Sequence, residues 1–310
     1  MALGLGSLAV LESRLETLLD ARACLPPDSR RLLHGRGRTY TGWEPVAIDW
    51  FAPALVITLY EDYERAAAED LAHWLHRRIS NCEAIFIQYR HASADARFEQ
   101  VLGEPLQVLF AQRNSLRFRL RLDTQNIGYF LDMEPARQWL ENRCEGLNVL
   151  NLFAYTCAFS VVARAAGAKS VLNMDLSSNS LSVGRENHRC NALPTDNIQF
   201  LANDIRKSWG RLKRYGPYDL IVVDPPSFQK GSFVASRDYE KLLRRLPELC
   251  RSGTQLLLCL NSPETRFSDF KSMLDDAFSV ARFQRRLEPS ADFPEQDDQK
   301  SLKLLIYSCT

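Results

Sequence analysis

The chain is 310 residues long, 45% hydrophobic and 25% charged, with a formal net charge of +1. Those values describe an ordinary soluble globular protein with room for two domains or one large one, and they exclude a disordered tract or a collagen-like repeat. A charge so near zero announces no nucleic-acid partner globally, so any such partner has to be read from local clusters.

The first twelve residues lack a basic n-region and a cleavage signal, and no apolar run approaches membrane-spanning length. A cytoplasmic protein with no membrane contact is therefore expected. Eight cysteines without a C-x-x-C pair or a Cys/His ligand spacing predict reduced thiols, no disulfide framework and no metal site. Residues 7–22 have helical spacing, with Leu8, Leu11, Leu15, Leu18 and Leu19 on one side, and Pro26-Pro27 ends the helix. The glycine-rich, basic stretch 33–38 reads as a loop, free to turn or to touch phosphate. Residues 46–50 and 54–60 predict a hairpin, 63–79 a helix, and 84–89, 106–111 and 115–122 further strands, together a small α+β domain over residues 1–125. In the last of these strands Leu116, Phe118, Leu120 and Leu122 alternate with Arg117, Arg119 and Arg121. Period two puts the three guanidiniums on one sheet face, as a solubilising surface or as a rail for an RNA backbone.

From residue 148 the pattern becomes regular. Strands near 148–153, 170–175, 198–203, 219–224 and 254–260 are separated by helical segments, which predicts a mostly parallel sheet. Residues 280–287 and 302–309 close it as two strands joined by a polar loop, so 126–310 reads as one α/β domain. Two basic clusters lie in this half, Arg206, Lys207, Arg211, Lys213 and Arg214, and then Arg237, Lys241, Arg244, Arg245 and Arg251. Each suits phosphate contacts or merely a solvated helix face.

Two segments carry chemistry. In 148–177 a buried strand leads through Phe153-Ala154-Tyr155-Thr156-Cys157-Ala158 into a helix, then into a second strand ending at Asp175. A carboxylate there is where a nucleotide cofactor's ribose hydroxyls find an acceptor, although a generic α/β crossover with a capping Asp fits this segment too. A dinucleotide needs bare backbone against its pyrophosphate, usually as G-x-G-x-x-G, and this loop has no glycine. A cofactor with an adenosine and no phosphate, such as S-adenosylmethionine, is better matched. In 217–231 an apolar strand runs into Asp224-Pro225-Pro226-Ser227-Phe228. The prolines fix a rigid turn at the carboxyl edge of the sheet, where open α/β sheets bind ligands. An acceptor, a free carbonyl and an aromatic ring there make a clamp for a planar base, or else a structural turn with a core Phe.

The order Asn151-Leu152-Phe153-Ala154-Tyr155-Thr156, Asp175, Asn203-Asp204, Asp224-Pro225-Pro226-Ser227-Phe228 resembles the class I S-adenosylmethionine-dependent methyltransferases. More narrowly, it is similar to the bacterial 23S ribosomal RNA methyltransferases that make 5-methylcytosine or 7-methylguanine. Gly128-Tyr129-Phe130-Leu131-Asp132 with Arg137 resembles that family's G-x-F-L-D motif and its trailing Arg. The resemblance implies a Rossmann-like seven-stranded sheet preceded by a small α+β domain, without the N-terminal RNA-binding domain of many relatives. It implies S-adenosyl-L-methionine as cofactor and RNA, ribosomal RNA in particular, as partner; the oligomeric state stays open. By the same resemblance Phe130, Leu131, Asp132, Arg137, Asn151, Phe153, Tyr155, Thr156, Asp175, Leu176, Ser177, Asp204 and Asp224 bind the cofactor. Asp224, Pro225, Pro226 and Phe228 present the base. The chain departs from relatives at Glu134, where they often have Arg, and at Cys157-Ala158, where they usually have Gly-Gly.

Methylation at pyrimidine C5 requires a thiolate to add at C6. Relatives that do this place a Cys near the Pro turn or just after the fifth strand. Here the turn has none, Asn261 takes the later position, and Cys259 falls inside the strand. A ring nitrogen or an exocyclic amine needs no covalent catalyst, so a base nitrogen, with guanine first, is the expected acceptor. C5 methylation of cytosine and a non-catalytic RNA-binding protein on the same fold are the alternatives.

Overall fold

The computed structural model describes residues 6–90, 97–229 and 233–310, with the backbone alone at Arg97, Phe228, Gln229 and Ser236. By internal contacts the chain forms two units, Met1–Asp132 with Ser290–Gln296, and Met133–Pro289 with Asp297–Thr310.

In the first unit α1 (Leu8–Leu18) is capped by Ser7, whose Oγ accepts from the Ala9 N–H, and it buries Leu11 and Leu15. Strands β1 (Arg30–His34), β2 (Val46–Phe51), β3 (Ala54–Leu59), β4 (Ala84–Tyr89) and β5 (Arg97–Leu102) form one sheet in that order. Neighbours are antiparallel except β3 and β4, which are parallel and joined through α2 (Arg65–Arg78). Leucines of α1 and α2 pack on the sheet in a single apolar cluster. The hairpin of β6 (Phe110–Arg113) and β7 (Leu116–Arg119) buries Leu116 and Phe118 and turns Arg117 outward, as the alternation requires.

In this unit two strands go beyond the sequence expectation, β1 and β5, and β6 starts later than expected. Both added strands are sheet edges carrying charge, which masks an apolar signature. The charge on β1 is neutralised through space. Arg31 makes a two-pronged contact with Asp49 at 2.7 and 2.9 Å, while Arg14 and Arg30 both donate to Asp292, at 3.1 and 3.0 Å. The segment Ser290–Gln296, expected as a polar connector, is thus part of this unit. The Arg31 guanidinium lies 4.6 Å over Phe293, and the Gln296 N–H donates to the Gly37 carbonyl at 2.8 Å. Gly37 tolerates no side chain there, since a Cβ would stand 1.9 Å from the Pro294 oxygen.

The second unit opens with α3 (Glu134–Glu141). It continues with β8 (Asn148–Leu152), α4 (Ala158–Ala165), β9 (Ser170–Asp175), α5 (Ser178–Cys190), β10 (Ile198–Ala202) and α6 (Trp209–Tyr215). Then come β11 (Leu220–Val223), the short ladder β12 (Phe228–Gln229) with β13 (Phe233–Val234), α7 (Ala235–Leu243), β14 (Gln255–Leu260), α8 (Phe267–Ala277), β15 (Ala281–Arg286) and β16 (Lys303–Cys309). Seven strands form one sheet in the order β10-β9-β8-β11-β14-β16-β15, with the first five parallel and β16 antiparallel to both its neighbours. The expected sheet and terminal hairpin are both present. One face packs under α6, α7 and α8 through Leu212, Tyr239, Leu243 and Phe270, the other under α3 and α4 through Trp139, Leu140 and Ala163. From β8 the chain winds outward through β9 and β10, then returns to start β11 on the opposite side. In open α/β sheets the carboxyl edge at such a reversal, here between β8 and β11, is the usual ligand site. Among the described residues no helix is long and apolar enough to cross a membrane and no His/Cys/Asp/Glu group suits a metal.

Candidate functional site

The loop between β8 and α4 is the most constrained backbone in the second unit. Phe153, Tyr155 and Cys157 have φ of 58°, 46° and 60°, so three residues with side chains alternate into the left-handed region. Each costs about 1–2 kcal/mol without glycine, and such strain persists only where the surroundings impose it. Those surroundings are identifiable. Asp175, the last residue of β9, accepts from the Tyr155 N–H through Oδ2 at 2.9 Å and from the Ser177 N–H through Oδ1 at 2.8 Å. From α5, Asn187 Nδ2 donates to the Thr156 carbonyl at 3.0 Å. Gly184, also in α5, leaves the hollow that Cys157 fills: a Cβ at 184 would stand 2.5 Å from the Cys157 Sγ and 2.9 Å from its Cβ. The Cys157 side chain therefore points back into α5 and is fully buried, which pushes its thiol pKa well up. The missing Gly-Gly is compensated by a glycine elsewhere.

Burial also raises the Asp175 pKa, with the N–H groups of Ser177, Tyr155 and Leu176 opposing that shift. Its carboxylate braces both strand-end turns. Leu176 beside it is 41% exposed, and Ser177 caps α5 by accepting from the Ser180 N–H.

Asn151 is not at the mouth. It is buried within β8 and starts a polar relay in which Asn151 Nδ2 donates to Asn173 Oδ1 (2.9 Å), and Asn173 Nδ2 donates to Ser160 Oγ (2.9 Å). Ser160 Oγ lies 3.0 Å from His188 Nε2, and His188 Nδ1 lies 2.7 Å from the Gly184 carbonyl. A carbonyl only accepts, so Nδ1 carries the proton and Nε2 accepts from Ser160. Burial lowers the His188 pKa and favours this neutral form. The relay fastens β8, β9 and α4 to α5 beneath the loop.

Asp224, Pro225 and Pro226 follow β11 directly, and Asp204 follows β10 after Asn203. Asp204 caps the short turn after it by accepting from the Arg206 N–H at 2.9 Å. Ser227 Oγ donates to the Asn261 carbonyl at 2.8 Å, tying the proline turn to the end of β14. Below it, buried Tyr239 donates to the Cys259 carbonyl at 3.1 Å, and burial is the first cause that pushes its phenol pKa well up. Phe233 of β13 meets Phe153 edge-on at 4.9 Å, linking the segment after the turn to the first loop. The Phe228 side chain, expected as the base stacker, lies outside the described residues.

Arg137 in α3 is 2% exposed, and its Nη1 donates to Glu134 Oε2 at 3.4 Å, so the residue that departs from the family pattern serves the Arg that keeps it. Phe130, Leu131 and Asp132 group with the first unit, where Asp132 adds its charge to the field holding Arg31 protonated. Sequence reasoning missed Gly184, Asn187, Tyr239 and the Asn173–Ser160–His188 relay. A glycine inside a helix was the one local signal, since such a residue usually has a packing reason.

The donor set can be tested against the cofactor. Asp175, Asp204 and Asp224 stand at the carboxyl ends of three neighbouring or near-neighbouring parallel strands. Carboxylates there suit hydroxyls, an exocyclic amine and a sulfonium cation, and would repel a pyrophosphate. These residue types fit S-adenosylmethionine: Asp175 would take the ribose hydroxyls, Asp204 and Leu176 the adenine, and Arg137 a carboxylate.

A family model described as S-adenosylmethionine-dependent methyltransferase matches residues 30–308. The Erwinia tasmaniensis ribosomal RNA large subunit methyltransferase I is 28% identical over 288 residues, covering 86% of this chain and 70% of the relative. The Aeromonas hydrophila protein of the same name is 36% identical over 154 residues, covering 48% and 39%. A Shewanella loihica ribosomal RNA large subunit methyltransferase K/L is 37% identical over 151 residues, covering 47% and 21%, so the chain matches well under half the length of these latter two. Two solved structures share the fold. SMU.776, crystallised with SAH, has TM-score 0.86 and 23% identity over 97% of this chain and 80% of that one. The SAM-dependent methyltransferase of Agrobacterium tumefaciens has TM-score 0.69 and 19% identity over 99% and 95%. The chain belongs to the S-adenosylmethionine-dependent methyltransferase family.

Proposed function

We propose that this chain methylates a nitrogen of an RNA base, guanine first, using S-adenosylmethionine. The observation that carries the choice of atom is the position of the thiols. Cys259 is fully buried inside β14, and Cys157 is buried against Gly184, whereas exposed Asn261 stands at the strand end beside the proline turn. Among the described residues no cysteine is exposed at that edge, where C5 chemistry would need one. The similarity to ribosomal RNA large subunit methyltransferases favours large-subunit ribosomal RNA as the substrate class. Bound cofactor would supply an electrophilic methyl group. The chain's own task is alignment: Asp224 and the Pro225 carbonyl accept from the base edge, and the Ser227–Asn261 bond holds the turn rigid.

The atom is tested with RNA containing 5-fluorocytidine, which traps a C5 enzyme as a covalent adduct. The expected outcome is no adduct, and methyl transfer that survives Cys259→Ser. An adduct that vanishes in that variant would establish the cytosine C5 reading instead.

Phe228→Ala tests base presentation. Stacking on a base contributes about 1–3 kcal/mol, so the methyl-transfer rate should fall roughly tenfold to hundredfold while cofactor affinity hardly changes. Full activity, or an unfolded variant, would assign Phe228 to packing.

A further inference from the structure

The basic run before and along α6 is joined in the second unit by one cation of the later basic cluster, Arg245. Arg206 and Lys207 lie in the short turn that Asp204 caps after β10, and Arg211 on α6 donates to Asn203 Oδ1 at 2.9 Å. The Arg245 guanidinium, from the end of α7, lies 4.4 Å over the Trp209 ring and reaches the Arg206 carbonyl at 3.5 Å. Lys213 pairs with Glu248 just beyond α7, at 2.9 Å. The fold thus gathers Arg206, Lys207, Arg211, Lys213, Arg214 and Arg245 around α6.

The compensating charge is small. Arg206 meets Asp204 at 3.4 Å, and Glu248 serves both Lys213 and Arg245. Among the described residues Lys207, Arg211 and Arg214 have no carboxylate within 4.0 Å. All three are exposed, and Tyr215 at the end of α6 is 46% exposed beside them. Charge of one sign interleaved with an exposed aromatic ring suits a single-stranded nucleic-acid backbone, whose phosphates need cations and whose bases need flat surfaces. An acidic protein would use the charge but leave the tyrosine unexplained. The surface also begins at the edge that bears Asp175, Asp204 and Asp224.

We infer that the α6 surface, from Arg206 to Tyr215 with Arg245, is the track on which the RNA backbone lies as it approaches the proline turn. This rests on the RNA reading above and adds the surface to it. Its contacts are phosphate contacts, so they set affinity and register without reading sequence.

The test measures binding of a mixed-sequence single-stranded RNA oligonucleotide by fluorescence anisotropy across a salt series, with the triple variant Lys207→Ala, Arg211→Ala, Arg214→Ala. Single-stranded contacts contribute about 0.7 each to the slope of log affinity against log salt, so losing three should flatten it by about 2. Affinity at low salt should fall at least tenfold, with S-adenosylmethionine affinity by calorimetry unchanged. A control triple variant on exposed cations elsewhere in the unit, Lys169→Ala, Arg189→Ala, Arg282→Ala, should keep the wild-type slope. Equal slopes for wild type and the α6 variant overturn the track while leaving the RNA reading standing, as does a control that flattens as much. Wild-type protein that binds no RNA at low salt overturns the RNA reading itself. Weakened binding of an acidic peptide but not of RNA assigns the surface to a protein partner and likewise overturns the track.

Discussion

Gly184→Ala should weaken S-adenosylmethionine binding roughly tenfold to hundredfold, about 1.4–2.8 kcal/mol, and lower stability by about 1–3 kcal/mol, the usual scale for overpacking. The added Cβ would meet the Cys157 Sγ at 2.5 Å, with the Thr156 carbonyl at 3.4 Å. Cys157 has to move, and it belongs to the constrained loop between β8 and α4. The double variant with Cys157→Gly should recover most of the loss. It removes the clashing thiol and puts glycine at the φ of 60° that Cys157 tolerates only under constraint. Calorimetric titration of the two single variants and the double closes the cycle. Wild-type affinity in Gly184→Ala would show that the hollow behind the loop has slack, and the account of Cys157 as its filling would be wrong.

The second large effect is at Asp175. Asp175→Asn keeps the shape but turns an NH2 toward either the Tyr155 or the Ser177 N–H, so a donor faces a donor where a carboxylate accepted both. Cofactor affinity should drop by about 1–3 kcal/mol, the range for hydrogen bonds to a charged group and for groups left unsatisfied. The pH behaviour separates this role from simple packing. Burial holds the Asp175 pKa above the ordinary aspartate value. Cofactor affinity should therefore decline on acidification at a higher pH than an unperturbed Asp would give, because protonation removes the acceptor. Stability runs the other way. An acid whose folded pKa exceeds its unfolded value binds more protons in the native state, so its contribution falls as pH rises through the folded pKa. Affinity and this part of stability should thus have opposite slopes in that window, and both slopes should vanish in Asp175→Asn. Calorimetry and thermal melts at matched pH check the pair, and parallel slopes would reject the assignment.

The parallel sheet was legible because its strands are short apolar runs buried on both faces, as in Leu220–Val223, and its turns are marked by residues such as Asp175 and Pro225-Pro226. The edge strands β1 and β5 were hidden because charges along them are met by partners elsewhere in the chain, Asp49 for Arg31 and Asp292 for Arg30 on β1, and Arg65 for Glu99 on β5. The same reason hid the support of the site. Cys157 looks like a defect when read against its neighbours, and only Gly184 on the next helix explains it. Asn151 stood in the motif as a cofactor residue, and its tie through Nδ2 to Asn173 on the neighbouring strand was not visible there. Local pattern shows which residues reach the carboxyl edge but does not separate those that face a ligand from those that hold the edge in place.

The seven residues Ser290–Gln296 carry a consequence for anyone dividing this protein. The backbone passes from one unit to the other after Asp132, again after Pro289 and once more after Gln296. A genetic cut at 132/133 is therefore not a structural cut. A fragment starting at Met133 keeps the catalytic sheet but carries a loop whose Asp292 has lost both guanidiniums and whose Phe293 has lost the cation above it. The complementary fragment ends with Arg14 and Arg30 exposed to solvent on their Asp292 side. The first unit is assembled from noncontiguous chain and is complete only once Ser290–Gln296 have been made, after most of the second unit.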